Sequence, residues 1–178
     1  MNSPARYTGP AIAAHWIVAL LIIAAWPLGV YMHELPLSPD KLKLYAYHKW
    51  IGITMLLLFV PRILWRITHR PPAPQPMPAW QRRVAEGTHH LLYLLMVLVP
   101  LSGWLMSSAK GFQTVYFGVL PLPDLVGKDK ELGDLLKEAH EALNLALLVL
   151  VGLHVAGALK HHLIDKDATL RRMLPFGR

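Results

Sequence analysis

Four long apolar stretches alternate with polar or mixed segments along this chain of 178 residues. A helix needs about 20 mostly apolar residues to cross the hydrocarbon core of a bilayer. The stretches that reach this length are 11–32, 44–65, 89–109 and 140–160. The second is the weakest, since Lys49 and Arg62 interrupt it near its ends, where long side chains can extend to the lipid headgroups. The pattern predicts an all-α integral membrane protein, a four-helix bundle forming a single membrane domain.

The connectors between these predicted spans are rich in residues that break helices. The segment 68–83 contains five prolines and is expected to be a loop throughout. The segment 110–137 carries both signs of charge together with Pro121 and Pro123, so we expect turns there, with room for a short surface helix. No small-residue cleavage site follows the first stretch, which is therefore predicted to be retained as a span.

Composition supports a membrane protein and removes several classes of cofactor. Hydrophobic residues make up 54% of the chain and charged residues 16%, with a mean hydropathy of +0.36. Soluble domains usually contain about 25% charged residues. The chain has no cysteine, which excludes disulfides, cysteine-ligated zinc, iron–sulfur clusters and covalently attached haem.

The net charge of +7 is unevenly distributed along the chain. When the four spans are threaded through a bilayer, both termini and the connector 68–83 fall on one side, with eleven basic and three acidic residues. The other side has seven basic and eight acidic residues. The basic side is expected to be cytoplasmic, and with it both termini. The positive charge is then a topology signal and a contact to membrane lipid, so no nucleic-acid partner is predicted.

Four histidines fall at matching depths in these spans. The threading places His15 and His154 near the inner surface and His48 and His140 near the outer one. Fourteen positions separate His140 from His154, which is about four helical turns and a rise of about 21 Å, so both project from nearly the same face. Neutral imidazoles on facing helices are suitable axial ligands for a haem iron. The two pairs therefore predict two haems stacked across the bilayer.

Other interpretations of the histidines remain open at this stage. A single histidine near a helix end is more often an interfacial or hydrogen-bonded residue, although ionisable residues inside spans are usually functional. His89 and His90 begin the third span, and either can replace an inner ligand or lie beside a haem propionate. His161 continues the stripe of the fourth span and, with His162, is expected to line an aqueous or quinone access route.

A metal-ion transporter that uses the same histidines is a further alternative. Such transporters usually add carboxylates or thiols to their histidines, and the interiors of the predicted spans contain neither. Small residues near the histidines leave two possibilities open, namely space for a planar cofactor or close packing of helices. These residues are Gly52, Gly103, Gly152 and Gly157.

Several segments together resemble the bacterial b561-type cytochromes, small four-helix di-haem proteins whose characterised activity is superoxide oxidase. The resemblance covers nearly the whole chain. It is carried by "HW" at 15–16, "HKWIGI" at 48–53, "HHLLYLLMVLVPLSGWLM" at 89–106, "HEALNLALLVLVGLH" at 140–154 and "HHLIDKDATLRRMLP" at 161–175. It implies two non-covalent haem b groups, ubiquinone as the electron acceptor and a place in the bacterial inner membrane. Carried over by position, the iron ligands are His15, His48, His140 and His154.

The resemblance leaves the electron donor to be decided. Superoxide is favoured by the characterised family activity, and Lys49 and Lys137, which flank the outer histidines, are candidate catalytic residues that would guide this anion. The alternative for these lysines is ordinary contact with lipid headgroups. The same helical core also resembles the cytochrome b subunits of hydrogenases and formate dehydrogenases, in which a dehydrogenase partner supplies the electrons.

Overall fold

Four long α-helices make up most of this protein in the computed structural model, which describes residues 6–176. They are α1 (Gly9–Glu34), α2 (Pro39–Thr68), α3 (Ala79–Ala109) and α4 (Lys130–Leu163). All four are long and apolar enough to cross a membrane. Each contains one of the predicted spans and extends beyond it at one or both ends. The predicted all-α, four-helix class is confirmed.

The helix boundaries follow from local chemistry. The Ser38 side chain accepts a hydrogen bond from the Lys41 amide at the start of α2. The Asp129 side chain does the same for the Leu132 amide at the start of α4. Such caps satisfy amides that have no partner within the helix. Prolines also lie inside α1, α2 and α3, where each removes one backbone hydrogen bond.

The connector predicted at 68–83 is shorter than expected, because α3 already begins at Ala79. The prediction of a loop was therefore wrong for residues 79–83. The last of the five prolines, Pro78, occupies the position just before the helix, where a missing amide hydrogen does no harm. No residue from 79 to 83 opposes a helix, so the helix starts as soon as the prolines end.

The connector predicted at 110–137 contains a hairpin. Strand β1 (Val115–Tyr116) pairs antiparallel with β2 (Leu120–Pro121), and Phe117 and Gly118 between them have positive φ. The described residues of this connector form no separate surface helix, which the sequence had left as a possibility. The helical residues of this region belong to α4, which begins at Lys130 and carries His140 well inside the helix.

The helices pack in sequence order around a thin apolar core. Helix α3 packs most extensively on α4, and α2 lies between α1 and α3. Val18, Met55 and Met96 form one buried cluster, and Leu95, Val99 and Leu147 form another. Elsewhere large apolar side chains are exposed, such as Leu20, Leu57 and Leu145 at 62%, 59% and 62%. An apolar outer surface of this extent is suited to lipid and would be unusual in water.

Each end of the bundle is closed by a different segment. We call the end that carries the hairpin the outer end, and the end that carries residues 164–176 the inner end. At the outer end the Trp50 indole donates to the Val115 carbonyl at 2.7 Å. At the inner end the Trp16 indole donates to the Met173 carbonyl at 2.8 Å. Arg178, which was counted among the inner basic residues, lies outside the described residues.

Candidate functional site

The four predicted ligand histidines form two pairs in the folded chain. At the outer end the ring centroids of His48 and His140 are 6.3 Å apart, and their planes are nearly perpendicular at 87°. At the inner end the centroids of His15 and His154 are 6.0 Å apart. Helix α4 contributes one histidine to each pair, while the partners come from α2 and α1. The structure thus brings together the same residues that were matched by depth.

These separations fit two imidazoles on opposite sides of one metal ion. An imidazole nitrogen binds a metal at about 2 Å and lies about 1 Å from its ring centre, so two such rings have centroids about 6 Å apart. Rings in direct stacking contact would lie closer together than this. Both pairs therefore have the ring separation that bis-histidine ligation requires. Their donor atoms are imidazole nitrogens, which haem iron accepts as axial ligands.

His140 is oriented by a hydrogen-bonded contact that leaves one ring nitrogen available. Its Nδ1 lies 3.0 Å from the Val99 carbonyl and 2.9 Å from the Ser102 hydroxyl. A carbonyl only accepts hydrogen bonds, so Nδ1 carries the proton and donates, and Nε2 keeps the free lone pair. This is the arrangement that commonly fixes the tautomer of a histidine bound to a metal.

Glycines stand directly against both outer rings. A Cβ atom added to Gly103 would lie 3.0 Å from Cε1 of His140, and one added to Gly29 would lie 3.3 Å from Cε1 of His48. Either distance is shorter than ordinary van der Waals contact. The Nδ1 atom of His48 is buried without a hydrogen bond of good geometry, although the Ala25 backbone lies close to the ring.

An apolar cavity of about 350 Å³ lies beside the outer pair. Both outer rings line it, and the remaining walls come from all four helices, for example Trp26, Met55 and Leu147. Pockets for cofactors usually start at about 300 Å³ and are mostly apolar with few polar groups. A hydrophobic planar macrocycle with two imidazole ligands suits this lining, so the residues present fit a haem.

The inner pair has a third imidazole beside it. The His89 ring lies 5.2 Å from the His154 ring, which is closer than the 6.0 Å between His154 and His15. His89 was anticipated as an inner-site residue, and the spacing favours His15 as the partner of His154.

Two features of the sites were missed by reasoning from the sequence. Gly29 was not singled out, because it lies 19 residues from the histidine that it contacts. Arg62 was interpreted as extending to the headgroups, yet its guanidinium is 3.4 Å from Nδ1 of His15. The signal that was available for Arg62 is its position 14 residues after His48, the same interval that separates His140 from His154.

The other highlighted glycines fall in different surroundings. A Cβ atom on Gly52 would meet Pro100 of α3 at 3.5 Å, so this glycine serves helix packing as well as lining the outer cavity. Nothing lies within 4 Å of such an atom on Gly152 or Gly157. Of the four glycines, Gly103 is the one that stands against a predicted ligand.

The two outer lysines differ in their charge environment. Nζ of Lys49 donates to the Phe112 carbonyl at 2.9 Å, a contact that holds the side chain without neutralising it. Nζ of Lys137 lies 3.1 Å from a carboxylate oxygen of Glu141, one helical turn further along α4. Lys49 forms no ion pair among the described residues, although Asp124 is close enough to act on its charge. Lys137 is directly ion-paired.

A charged cluster follows α4 at the inner surface. Nδ1 of His161 lies 3.1 Å from Asp165 and 2.7 Å from Asp167, while Lys160 pairs with Asp165 at 2.6 Å. Burial opposes ionisation of Asp167, but hydrogen bonds from Thr169 and His161 outweigh it and hold the pKa of this carboxyl below its ordinary value. The cluster fastens the chain after α4 and lies outside the two histidine pairs.

Comparison with known proteins identifies the family. Residues 6–176 match the family described as prokaryotic cytochrome b561, which is nearly the whole chain. This chain belongs to the prokaryotic cytochrome b561 family. Membership makes it a multi-pass membrane protein of electron transfer and implies haem of the b type. The histidine pairs described above are the residues available to hold such haem.

Relatives of the cytochrome b561 chain align over almost their full length. Cytochrome b561 homolog 2 of Escherichia coli K12 is 37% identical over 175 residues, which covers 97% of this chain and 93% of the relative. Probable superoxide oxidase CybB of Yersinia pestis is 31% identical, with 96% of each chain covered. Cytochrome b561 homolog 1 of Escherichia coli K12 is also 31% identical, over 96% of this chain and 97% of the relative.

Proposed function

We propose that this member of the cytochrome b561 family binds two haem b groups and transfers electrons from superoxide at its outer end to ubiquinone. His48 and His140 would hold the outer haem, and His15 and His154 the inner one. The excess of basic residues at the inner end supports a cytoplasmic location of that end and of both termini in the bacterial inner membrane.

The observation that carries this proposal is the repeated imidazole spacing. Two histidine pairs with centroids 6.3 and 6.0 Å apart lie about 21 Å apart along α4. In a bilayer, one pair would therefore lie below each surface. When bound, haem would supply the one-electron redox chemistry.

The proposed reaction balances with two protons taken up by the quinone. Two superoxide anions each lose one electron and leave as dioxygen, while one ubiquinone gains these two electrons and two protons to become ubiquinol. The chain's own task at the outer end is to attract an anion to a site near His48. The positive charge of Lys49, which forms no ion pair, would serve this purpose.

The inner end offers a place suited to the quinone. A cavity of about 290 Å³ opens there, lined by Ile12, Ala13 and Trp16 among others. The Trp16 ring lies 5.5 Å from the His15 ring, so this cavity borders the inner pair. Its apolar walls fit the ring of a quinone that arrives from the lipid.

The experiment is a superoxide pulse applied to the purified protein in detergent, followed by its visible spectrum. We expect two haems per chain, rapid appearance of reduced b-type bands and their reoxidation when ubiquinone is added. Superoxide dismutase should abolish the reduction. A matched control is His140→Ala, which should lose the fast phase because its outer haem is lost or has lost one axial ligand.

Three results would contradict this function. A haem-to-protein ratio near one would remove the two-site arrangement. Equal rates of reduction in the native protein and in His140→Ala would remove superoxide as the donor, and stable co-purification of a large dehydrogenase would then favour an electron-transfer subunit. Purified protein with bound zinc or copper and no haem bands would favour the metal-ion transporter.

A further inference from the structure

Helix α2 presents an arginine at the level where α4 presents its inner histidine. On α4, His140, the buried Leu147 and His154 follow each other at intervals of seven residues, or about two turns. On α2 the same intervals separate His48, the buried Met55 and Arg62. The two helices thus carry matching stripes, and Arg62 stands where α2 would otherwise offer a second histidine.

The guanidinium of Arg62 is buried without an anionic partner. Its Nη2 is 3.4 Å from Nδ1 of His15, and its central carbon lies 5.5 Å from the centre of the Tyr93 ring. Its Nε and Nη1 atoms are buried and have no hydrogen-bond acceptor. Among residues 6–176 no carboxylate forms an ion pair with it. Arginine stays protonated in proteins, so this charge requires an acceptor.

His15 cannot serve as that acceptor once it binds a metal. A neutral imidazole has one nitrogen with a free lone pair, and its other nitrogen carries a proton. If the lone pair of His15 is used to bind iron, only a donor is left to face the donors of Arg62. The guanidinium must then find an acceptor elsewhere within reach of the inner pair.

We propose that Arg62 binds a carboxylate of the inner haem, one of its propionate groups, and raises the reduction potential of that haem. This inference rests on the proposed haem at His15 and His154. Arginine forms paired, charge-assisted hydrogen bonds with carboxylates, and Tyr93 supports the guanidinium from one side. A nearby positive charge favours the form of the haem that has gained an electron. Electron transfer from the outer haem to the inner haem thereby becomes more favourable.

The first test is a potentiometric titration of the purified di-haem protein and its variants, without superoxide or quinone. The inner haem is assigned by its loss in His154→Ala. In Arg62→Gln we expect the equilibrium constant for reduction of the inner haem to fall about tenfold, or about 59 mV for a one-electron couple. Arg62→Lys should keep most of the native value, and the outer haem should not change. Arg70→Gln, which removes an exposed arginine just beyond α2, is the matched control and should leave both haems unchanged.

The second test identifies the carboxylate. Resonance Raman spectra of the native protein and Arg62→Gln should differ in the propionate bending band of the inner haem. Arg62→Lys should also shift this band, because an ammonium group cannot form the paired hydrogen bonds. If Arg62→Gln fails to retain the inner haem, the propionate band of Arg62→Lys is therefore compared with that of the native protein instead.

Either of two outcomes would overturn the inference. Unchanged potentials or an unchanged propionate band in the Arg62 variants would show that the arginine does not bind the haem. An effect on the potential that disappears when anionic lipid is removed would assign the guanidinium to a lipid phosphate. If the native protein holds no inner haem, the proposed function itself fails. That result differs from the two outcomes above, in which the inner haem is present.

Discussion

The outer and inner histidine pairs have nearly the same ring separation in very different surroundings. The outer rings stand against Gly29 and Gly103, and His140 is fixed by Val99 and Ser102. The inner rings are accompanied by a third imidazole and a buried guanidinium. Helix periodicity sets the distance between the two pairs along α4. The packing of the neighbouring helices sets the ring separation within each pair and the electrostatics around it. The outer pair is held by shape and neutral hydrogen bonds, and the inner pair is surrounded by positive or potentially positive groups.

The largest expected effect comes from removing one ligand of either pair. His140→Ala should lower the haem-to-protein ratio from two towards one, or leave a high-spin outer haem, with the inner haem unchanged. His154→Ala should remove or weaken the inner haem and leave the outer haem unchanged. The measurement is haem extraction together with the low-spin signals in electron paramagnetic resonance. Loss of both haems from either variant would contradict the independence of the two pairs.

The same experiment distinguishes the two candidate partners of His154. We expect His15→Ala to disturb the inner haem and His89→Ala to leave it six-coordinate, because the spacing of 6.0 Å to His15 fits a shared metal better than 5.2 Å to His89. His90→Ala on the same helix is the control. Loss of the inner haem in His89→Ala with an unchanged spectrum in His15→Ala would reverse the assignment.

A smaller effect is expected from crowding the outer pair alone. In Gly103→Ala the new methyl group would meet Cε1 of His140 at 3.0 Å, so the ring must shift. We expect the outer haem to dissociate about tenfold faster, while the inner haem keeps its native rate, since ligand positioning is commonly worth about 10–100-fold in metal affinity. Transfer of haem to an acceptor protein measures both rates. Gly157→Ala, with nothing within 4 Å, is the control, and equal effects of the two variants would argue against the contact.

The two outer lysines are expected to differ in how they guide superoxide. Lys49→Gln should slow reduction by superoxide about threefold to tenfold and weaken its dependence on salt, because a positive charge next to His48, outside any ion pair, is lost. Lys49→Arg should keep the native rate. The double variant Lys137→Gln/Glu141→Gln removes an ion pair without changing the net charge and should have no effect. A double variant as slow as Lys49→Gln would show that Lys137 acts independently of its partner.

The smallest effect concerns the charged cluster that fastens the inner end. The folded chain holds the pKa of Asp167 below its ordinary value of 3.8. The ionised carboxylate therefore contributes stability above pH 3.8, and this contribution is lost as the pH falls through the lower pKa of the folded state. The fluorescence of Trp16, which hydrogen-bonds to this tail, should report a slight loosening in acid. Asp167→Asn should show the fluorescence of the loosened tail already at neutral pH. If this variant still responds to acid as the native protein does, the response belongs to another titrating group.

Much of the fold was predictable because each span carries its own signal. Apolar length identified all four helices, and the interval between His140 and His154 placed two imidazoles on one face. The errors fell in the connectors, where local preferences are weak. The hairpin at 115–121 is held by hydrogen bonds to α2, such as Trp50 to Val115 and Thr54 to Tyr116. No pattern within the connector predicts these bonds.

The sequence by itself determined the four apolar helices, the uneven distribution of charge, the absence of cysteine chemistry and the position of each histidine along its helix. These properties are local, or follow from counting residues along a helix of fixed rise. Only the tertiary structure decided that Gly29 presses on His48, that Val99 orients His140 and that Arg62 reaches His15. Each of these contacts joins residues from different helices. It depends on how the helices rotate and pack against one another, and the pattern along a single helix does not specify that rotation.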